Sequence, residues 1–259
     1  MDRTIPALEF AIFMFVGMLV CLEIGRRIGK RHLAKDPQLM TSHNSVDGAI
    51  FALYGLLLAF TFSGAPSRFD TRRQLIAQEA NAIGTAYLRL DLLAPDQQPE
   101  MRRRFRDYLD SRLAVYRAAP DIERAKSELA ESEVMQKEIW KAAVPATLQV
   151  NAHPEAAKLL LPALNDMFDI TTTRTMAMRI HPPLIIFALL YLLALVCSVL
   201  AGYGMAVSKK RSWLHIISFA LVAVFSVFVV LEIEYPRSGF MSLASRYDQV
   251  LLDLRESMK

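Results

Sequence analysis

The chain has 259 residues, of which 53% are hydrophobic and 22% are charged, and its mean hydropathy is +0.26. That composition is too apolar for an ordinary soluble protein and too charged for one buried wholly in a membrane, so we expect membrane helices plus a solvated part. The net charge of +4 is spread along the chain without a concentrated basic surface, which argues against nucleic acid as a partner.

The first apolar run covers residues 6–25, and a helix needs about 20 apolar residues to cross a bilayer. A signal peptide is the alternative interpretation. Against it, the basic cluster follows the run instead of preceding it, and no A-x-A site ends it. We therefore predict a first membrane helix, with Glu9 and Glu23 near its two ends, where charged side chains reach the interface easily. A short basic loop, residues 26–46, follows it.

The second apolar run, residues 48–66, carries two different stripes at helical spacing. The small stripe allows close helix packing in lipid, and the polar stripe should face protein or water. The polar stripe therefore predicts either a path through the membrane or simply a second helix contact, and both interpretations stay open. The small stripe is Gly48, Ala52, Gly55, Ala59 and Ser63; the polar stripe is Asp47, Tyr54, Thr61 and Arg68, interleaved with Phe51, Leu58 and Ala65.

The helical pattern continues beyond Pro66 to about residue 93, where an Ala-Pro-Asp breaker ends it. Glu79 and Asn81 on this continuation could form a polar site near the membrane, but a solvated helix face is the favoured interpretation. Three further amphipathic helices are predicted at 99–119, 121–143 and 154–181. Residues 67–181 thus form a helical extramembrane insert.

Two more membrane helices are predicted at 183–204 and 213–233, the latter beginning at an interfacial Trp213. The fold class is an all-α membrane protein with four transmembrane helices and the helical insert between the second and third. The predicted segments are 1–66 with the first two membrane helices, 67–181 as the insert, 182–235 with the last two, and a 236–259 tail holding a short amphipathic helix at 247–254.

The basic loops 26–46 and 205–212 must lie on one side of the membrane, and the positive-inside rule makes that side cytoplasmic. The insert would then face outward. Arginines such as Arg68 and Arg179 also flank the membrane on the insert's side, and long loops count little in the rule. The side on which the insert lies stays open.

The sequence has none of the motifs that mark catalytic or metal chemistry. There is no Gly-rich phosphate loop, no HExxH and no GxSxG, and the two cysteines, Cys21 and Cys197, show no CxxC spacing. No histidine pairs at i, i+4 with another metal-ligand type on a membrane face. We therefore expect no enzyme activity, no cofactor and no metal.

Two strings resemble the bestrophin-like DUF4239 family of bacterial integral membrane proteins: GLLLAFTFSGAPSRFDTRRQLIAQEANAIGTAYLRLDLL at 55–93 and EIEYPRSGFMSL at 232–243. The family is distantly related to bestrophins, oligomeric anion channels whose second membrane helix lines the pore through a hydrophobic neck and continues into a cytosolic helical layer. Carried over by position, the resemblance places the neck at Phe51, Tyr54, Leu58 and Thr61, or on a face one step round. The acidic calcium clasp of animal bestrophins is missing, and the charge bias argues against a cytosolic insert.

These observations favour an ion channel, in the bacterial cytoplasmic membrane, formed by a symmetric homo-oligomer, a tetramer or pentamer. The alternative is a non-conducting membrane scaffold or sensor whose insert binds a protein partner. Arginines near the pore favour anions and glutamates favour cations, so anions are only slightly preferred. The expected pore-lining residues are Asp47, Phe51, Tyr54, Leu58, Thr61 and Arg68, and the expected pore-mouth charges are Arg72, Glu9, Glu232 and Glu234.

Overall fold

The computed structural model describes residues 7–35, 44–118, 121–208, 211–235 and 249–258. Every regular element in these ranges is a helix, as the sequence predicts, and short 3₁₀ turns follow two of them at Arg89–Leu92 and Met205–Val207. The α-helices are α1 Ala7–Leu33, α2 Asn44–Leu88, α3 Gln98–Ala118, α4 Ile122–Thr147, α5 Ala156–Arg179, α6 Leu184–Gly204, α7 Trp213–Glu234 and α8 Gln249–Ser257.

The helix α2 is continuous through Pro66, as the periodicity predicts, although proline lacks the N–H that would bond one turn back. The helix α1 runs eight residues beyond its predicted end, to Leu33. Its extra turns are basic, and Lys30 and Arg31 lie in the last turn, where cations interact favourably with the helix dipole. The basic residues after Gly25 set the predicted end of the membrane span, but the helix continues through them.

The described residues divide into two compact units. The membrane unit lies within 1–67 and 181–240, and the helical unit lies within 68–180 and 241–259, so that α2 contributes to both. Four helical segments are long and apolar enough to cross a membrane, and they contain α1, α2, α6 and α7. The buried centre of the membrane unit includes Met14, Met18, Phe187, Leu190 and Cys197.

Glycines bring α1 and α6 into backbone contact inside the membrane unit. A Cβ atom on Gly25 would lie 2.0 Å from the carbonyl oxygen of Val199, and one on Gly202 would lie 2.0 Å from that of Leu22. No side chain fits at either position, so the two backbones approach as closely as the small-residue packing of membrane helices allows.

We expect Gly202→Ala to destabilise the membrane unit by about 1–3 kcal/mol or more, because the added methyl meets backbone rather than a flexible side chain. The measurement is thermal unfolding of the detergent-purified protein, followed by size-exclusion chromatography. The matched control is Gly204→Ala, where no described residue lies within 4 Å of the new methyl. Equal melting temperatures for the two variants would contradict the close contact.

The helical unit buries the inner faces of α2, α3, α4 and α5 together with α8. The short C-terminal helix predicted at 247–254 is found at Gln249–Ser257, with Leu251 fully buried. Arg255 donates two hydrogen bonds of 2.8 Å to the carboxylate oxygens of Asp110 on α3. The end of the chain is thus part of this unit's core.

At the centre of the helical unit, Glu79 is completely buried, which corrects the expectation that it lies on a solvated face. Its Oε1 accepts a hydrogen bond from Arg112 Nε at 2.6 Å, and its Oε2 accepts one from Tyr116 Oη at 2.7 Å. Arg174 Nη1 donates to the same Oε2. One carboxylate therefore joins α2, α3 and α5.

Tyr116 completes this buried cluster. The guanidinium carbon of Arg174 lies 3.8 Å from the centre of its ring, a cation–π contact that partly compensates the second positive charge. Burial and then the neighbouring Glu79 carboxylate raise the pKa of the Tyr116 hydroxyl, so it stays a hydrogen-bond donor.

We expect Glu79→Gln to cost about 3–5 kcal/mol of stability, because it leaves two arginines buried without their carboxylate. The control is Glu123→Gln, which removes a surface ion pair with Lys126 and should change stability little. Chemical unfolding followed by circular dichroism measures both. A Glu79→Gln variant as stable as the control would show that the cluster does not hold the unit together.

Candidate functional site

The membrane half of α2 has an exposed face in the single chain, and that face is the small stripe. All five of its residues are exposed. At Gly48 and Gly55 no described residue lies within 4 Å of where a Cβ would stand. Two large apolar side chains on the same side, Leu56 and Phe60, are also exposed. This face is covered by nothing else in the described part of the chain.

The polar stripe points the other way, into the subunit. Tyr54 and Thr61 are each only 7% exposed, and Tyr54 packs in the buried cluster of the membrane unit. Thr61 Oγ1 donates to the Leu57 carbonyl one turn earlier at 2.8 Å, so its hydroxyl needs no further partner. The ring of Phe51 packs edge-on against Phe219 of α7, with 6.0 Å between ring centres. The remaining predicted residues, Asp47, Leu58 and Arg68, are half-buried.

This placement bears on the predicted pore lining, which stays a prediction. Tyr54 and Thr61 are buried within the subunit, whereas a path between subunits would need side chains exposed on the single chain. On the exposed face, the small residues lie one step round the helix from the predicted neck, and larger apolar residues lie one step further round. That the neck lies on this face stays a prediction. The large apolar members of the face are Leu56 and Phe60, which the sequence pattern alone did not single out.

The predicted pore-mouth glutamates differ in their surroundings. Glu9 is exposed near the start of α1. Glu234 is fully buried, with Oε1 3.1 Å from His181 Nδ1, and the His181 ring stacks on Tyr235 with 4.6 Å between ring centres. Glu232 is buried, and its Oε2 has no hydrogen-bond partner among the described residues. Of the three predicted pore-mouth glutamates, only Glu9 is therefore exposed on the single chain.

Arg72 is the predicted pore-mouth cation, and it caps a helix. Its Nε and Nη2 donate to the carbonyls of Ala177 and Ile180 at 3.3 and 2.9 Å, at the end of α5. Cations are favourable at that end of a helix because they satisfy carbonyls that lack intrahelical partners. Its role is thus structural at least in part.

Sequence reasoning missed two polar contacts between helices of the membrane unit. One is the pair of His181 and Glu234, which lie 53 residues apart. The other joins α1 to the residues just before α7, where Arg211 Nη2 donates to Glu23 Oε2 at 2.7 Å. The only sequence signal for either was an ionisable residue at the end of an apolar run. Within the described ranges, no group of three or more His, Cys, Asp or Glu side chains is placed to hold a metal.

The family model of the bestrophin-like domain matches residues 12–246. The chain belongs to the bestrophin-like family. The match begins within α1 and ends beyond α7, so it covers most of α1 and the whole of every helix from α2 to α7. No curated protein and no solved structure matches the chain. With its four apolar helices, this bestrophin-like protein is an integral membrane protein.

Proposed function

We propose that this bestrophin-like protein is a homo-oligomeric ion channel, a tetramer or pentamer, in which the exposed face of α2 borders the central pore. The observation that supports the proposal is that face, which no other part of the described ranges covers. Four membrane helices of one subunit are too few to enclose a hydrated path easily, so rotational symmetry would supply it. The resemblance of the family to oligomeric channels supports the same arrangement.

The neck of this pore would be formed by Leu56 and Phe60. They lie one helical turn apart on the exposed face, and Phe60 is 69% exposed in the single chain. In a symmetric ring each such side chain would meet its copies at the same depth, and a ring of apolar side chains gates by excluding water. The small residues beside them would allow neighbouring helices to approach.

We assign the slight preference for anions to Arg68, which is half-buried on the polar stripe and follows the apolar part of α2, so it would act at the mouth of the pore and not at the neck. A ring of its copies would raise the anion concentration at that end of the pore. Of the opposing acids, Glu232 and Glu234 are buried, and Glu234 contacts His181, which leaves Glu9 as the exposed competitor. We place the channel in the bacterial cytoplasmic membrane with its two basic loops inside.

We expect purified protein in liposomes to carry current, and Phe60→Ala to increase the conductance several-fold because it widens the apolar constriction. The control is Phe225→Ala on α7, which removes a ring that is similarly exposed, at 64%, and should leave the current unchanged. Single-channel recording in planar bilayers measures both. A conductance unaffected by Phe60→Ala would remove this face of α2 from the pore.

Replacing Arg68 tests the ion preference. In a potassium chloride gradient, Arg68→Gln should move the reversal potential toward that of potassium, because the pore loses a ring of positive charge. The control is Arg73→Gln, which removes an exposed arginine that lies 3.8 Å from Asp70 one turn away. Equal shifts of the reversal potential in the two variants, or no shift in either, would contradict a role for Arg68 in ion selectivity.

A non-conducting scaffold or sensor is the second candidate. Leu148 and Val150, between α4 and α5, are largely exposed on the helical unit, as apolar residues of a protein-binding surface are. A folded, reconstituted protein that passes no current under any salt gradient would favour this function over the channel.

A further inference from the structure

A cavity of about 190 Å³ lies between α1, α6 and α7, at the end of the membrane unit that carries the two basic loops. Apolar side chains such as Leu22 and Ile216 form part of its wall, while Glu23, Arg26 and Arg211 provide charged groups. The cavity therefore has the two-part chemistry of a membrane interface, with an apolar wall and a cationic rim.

The charges in this cavity do not cancel. Both carboxylate oxygens of Glu23 are already used, Oε1 by Arg27 Nε at 2.9 Å and Oε2 by Arg211 Nη2 at 2.7 Å. Arg26 is only 8% exposed, and its Nε has no acceptor among the described residues. A buried guanidinium N–H without an acceptor is costly, so the site favours a ligand that brings an anionic oxygen.

The depth of the cavity indicates the source of that oxygen. Trp213 lines it at the start of α7, and the guanidinium carbon of Arg211 lies 4.2 Å from the centre of the Trp213 ring. Tryptophans at the ends of membrane helices mark the level of the lipid headgroups. The adjoining sequence is strongly basic, with Arg27, Lys30, Arg31, Lys35, Lys209 and Lys210 close in the chain.

We propose that this cavity binds an anionic phospholipid. The phosphodiester accepts hydrogen bonds from the guanidinium groups of Arg26 and Arg211, which line the cavity, and the first acyl carbons lie against Leu22 and Ile216. Basic pockets between membrane helices bind acidic lipid headgroups in this way. Free phosphate shares the headgroup chemistry but cannot use the apolar wall. The proposal is independent of conduction, since none of these residues lies on α2.

The test uses the full chain, purified in detergent, stripped of lipid and examined by native mass spectrometry and thermal unfolding. Phosphatidylglycerol should be retained and should raise the melting temperature, whereas phosphatidylcholine with the same chains and inorganic phosphate should do neither. Arg26→Gln should weaken retention of phosphatidylglycerol by about tenfold, the loss expected of one charge-assisted hydrogen bond. The control, Arg31→Gln, removes an exposed charge from the same end of α1 and should retain the lipid normally.

Three outcomes would overturn the proposal. Phosphatidylcholine has the same phosphodiester but also a choline cation, so its equal retention would mean that the cavity does not select a lipid of net negative charge. An equal rise in the melting temperature with inorganic phosphate would mean that the cavity binds free anions. An equal loss in Arg26→Gln and Arg31→Gln would mean that the overall charge of the helix end acts, without this cavity. If Arg26→Gln does not fold, Arg211→Gln is compared with the same control. The difference in retention between phosphatidylglycerol and phosphatidylcholine in the unmodified protein tests the proposal in either case.

Discussion

The backbone contact between α1 and α6 constrains everything else in the membrane unit. At Gly25 and Gly202 neither helix can carry a side chain, so the two helices form a pair at the shortest separation that packing in lipid permits. The helix α7 packs against α1 beside this contact. The membrane half of α2 packs into the cluster through its polar stripe and the neighbouring Ile50 and Leu57, and the described part of the chain leaves its small stripe uncovered.

The helical unit has a different interaction at its centre. Hydrophobic burial forms its core, and Glu79 binds Arg112 and Arg174 within that core. Ionic groups buried this deeply contribute little net free energy when complete, and they destabilise strongly when one partner is removed. The cluster therefore specifies how α2, α3 and α5 pair more than it adds to stability.

The helices could be predicted from the sequence because their signals are local: apolar periodicity located α2 beyond Pro66, and breakers separated α3, α4 and α5. The direction in which each helix face points could not be predicted from the sequence. Thr61 suggested a pore lining because a polar group in lipid needs a partner, but its own helix supplies that partner at Leu57. Glu79 suggested a solvated face because the sequence near it shows no partner. Its partners, Arg112 and Arg174, lie 33 and 95 residues away in the chain.

The exposed face of α2 explains why one subunit alone does not show which residues would line the proposed pore. Its glycines would let a neighbouring helix approach closely, whereas Phe60 would hold such a neighbour away at its own depth. One face thus combines the residues for close subunit contact with those for a constriction. In the proposed channel, both properties would arise only where copies of the face meet around an axis. The proposed pore would then belong to the assembly, and the fold of the subunit would limit which residues can line it.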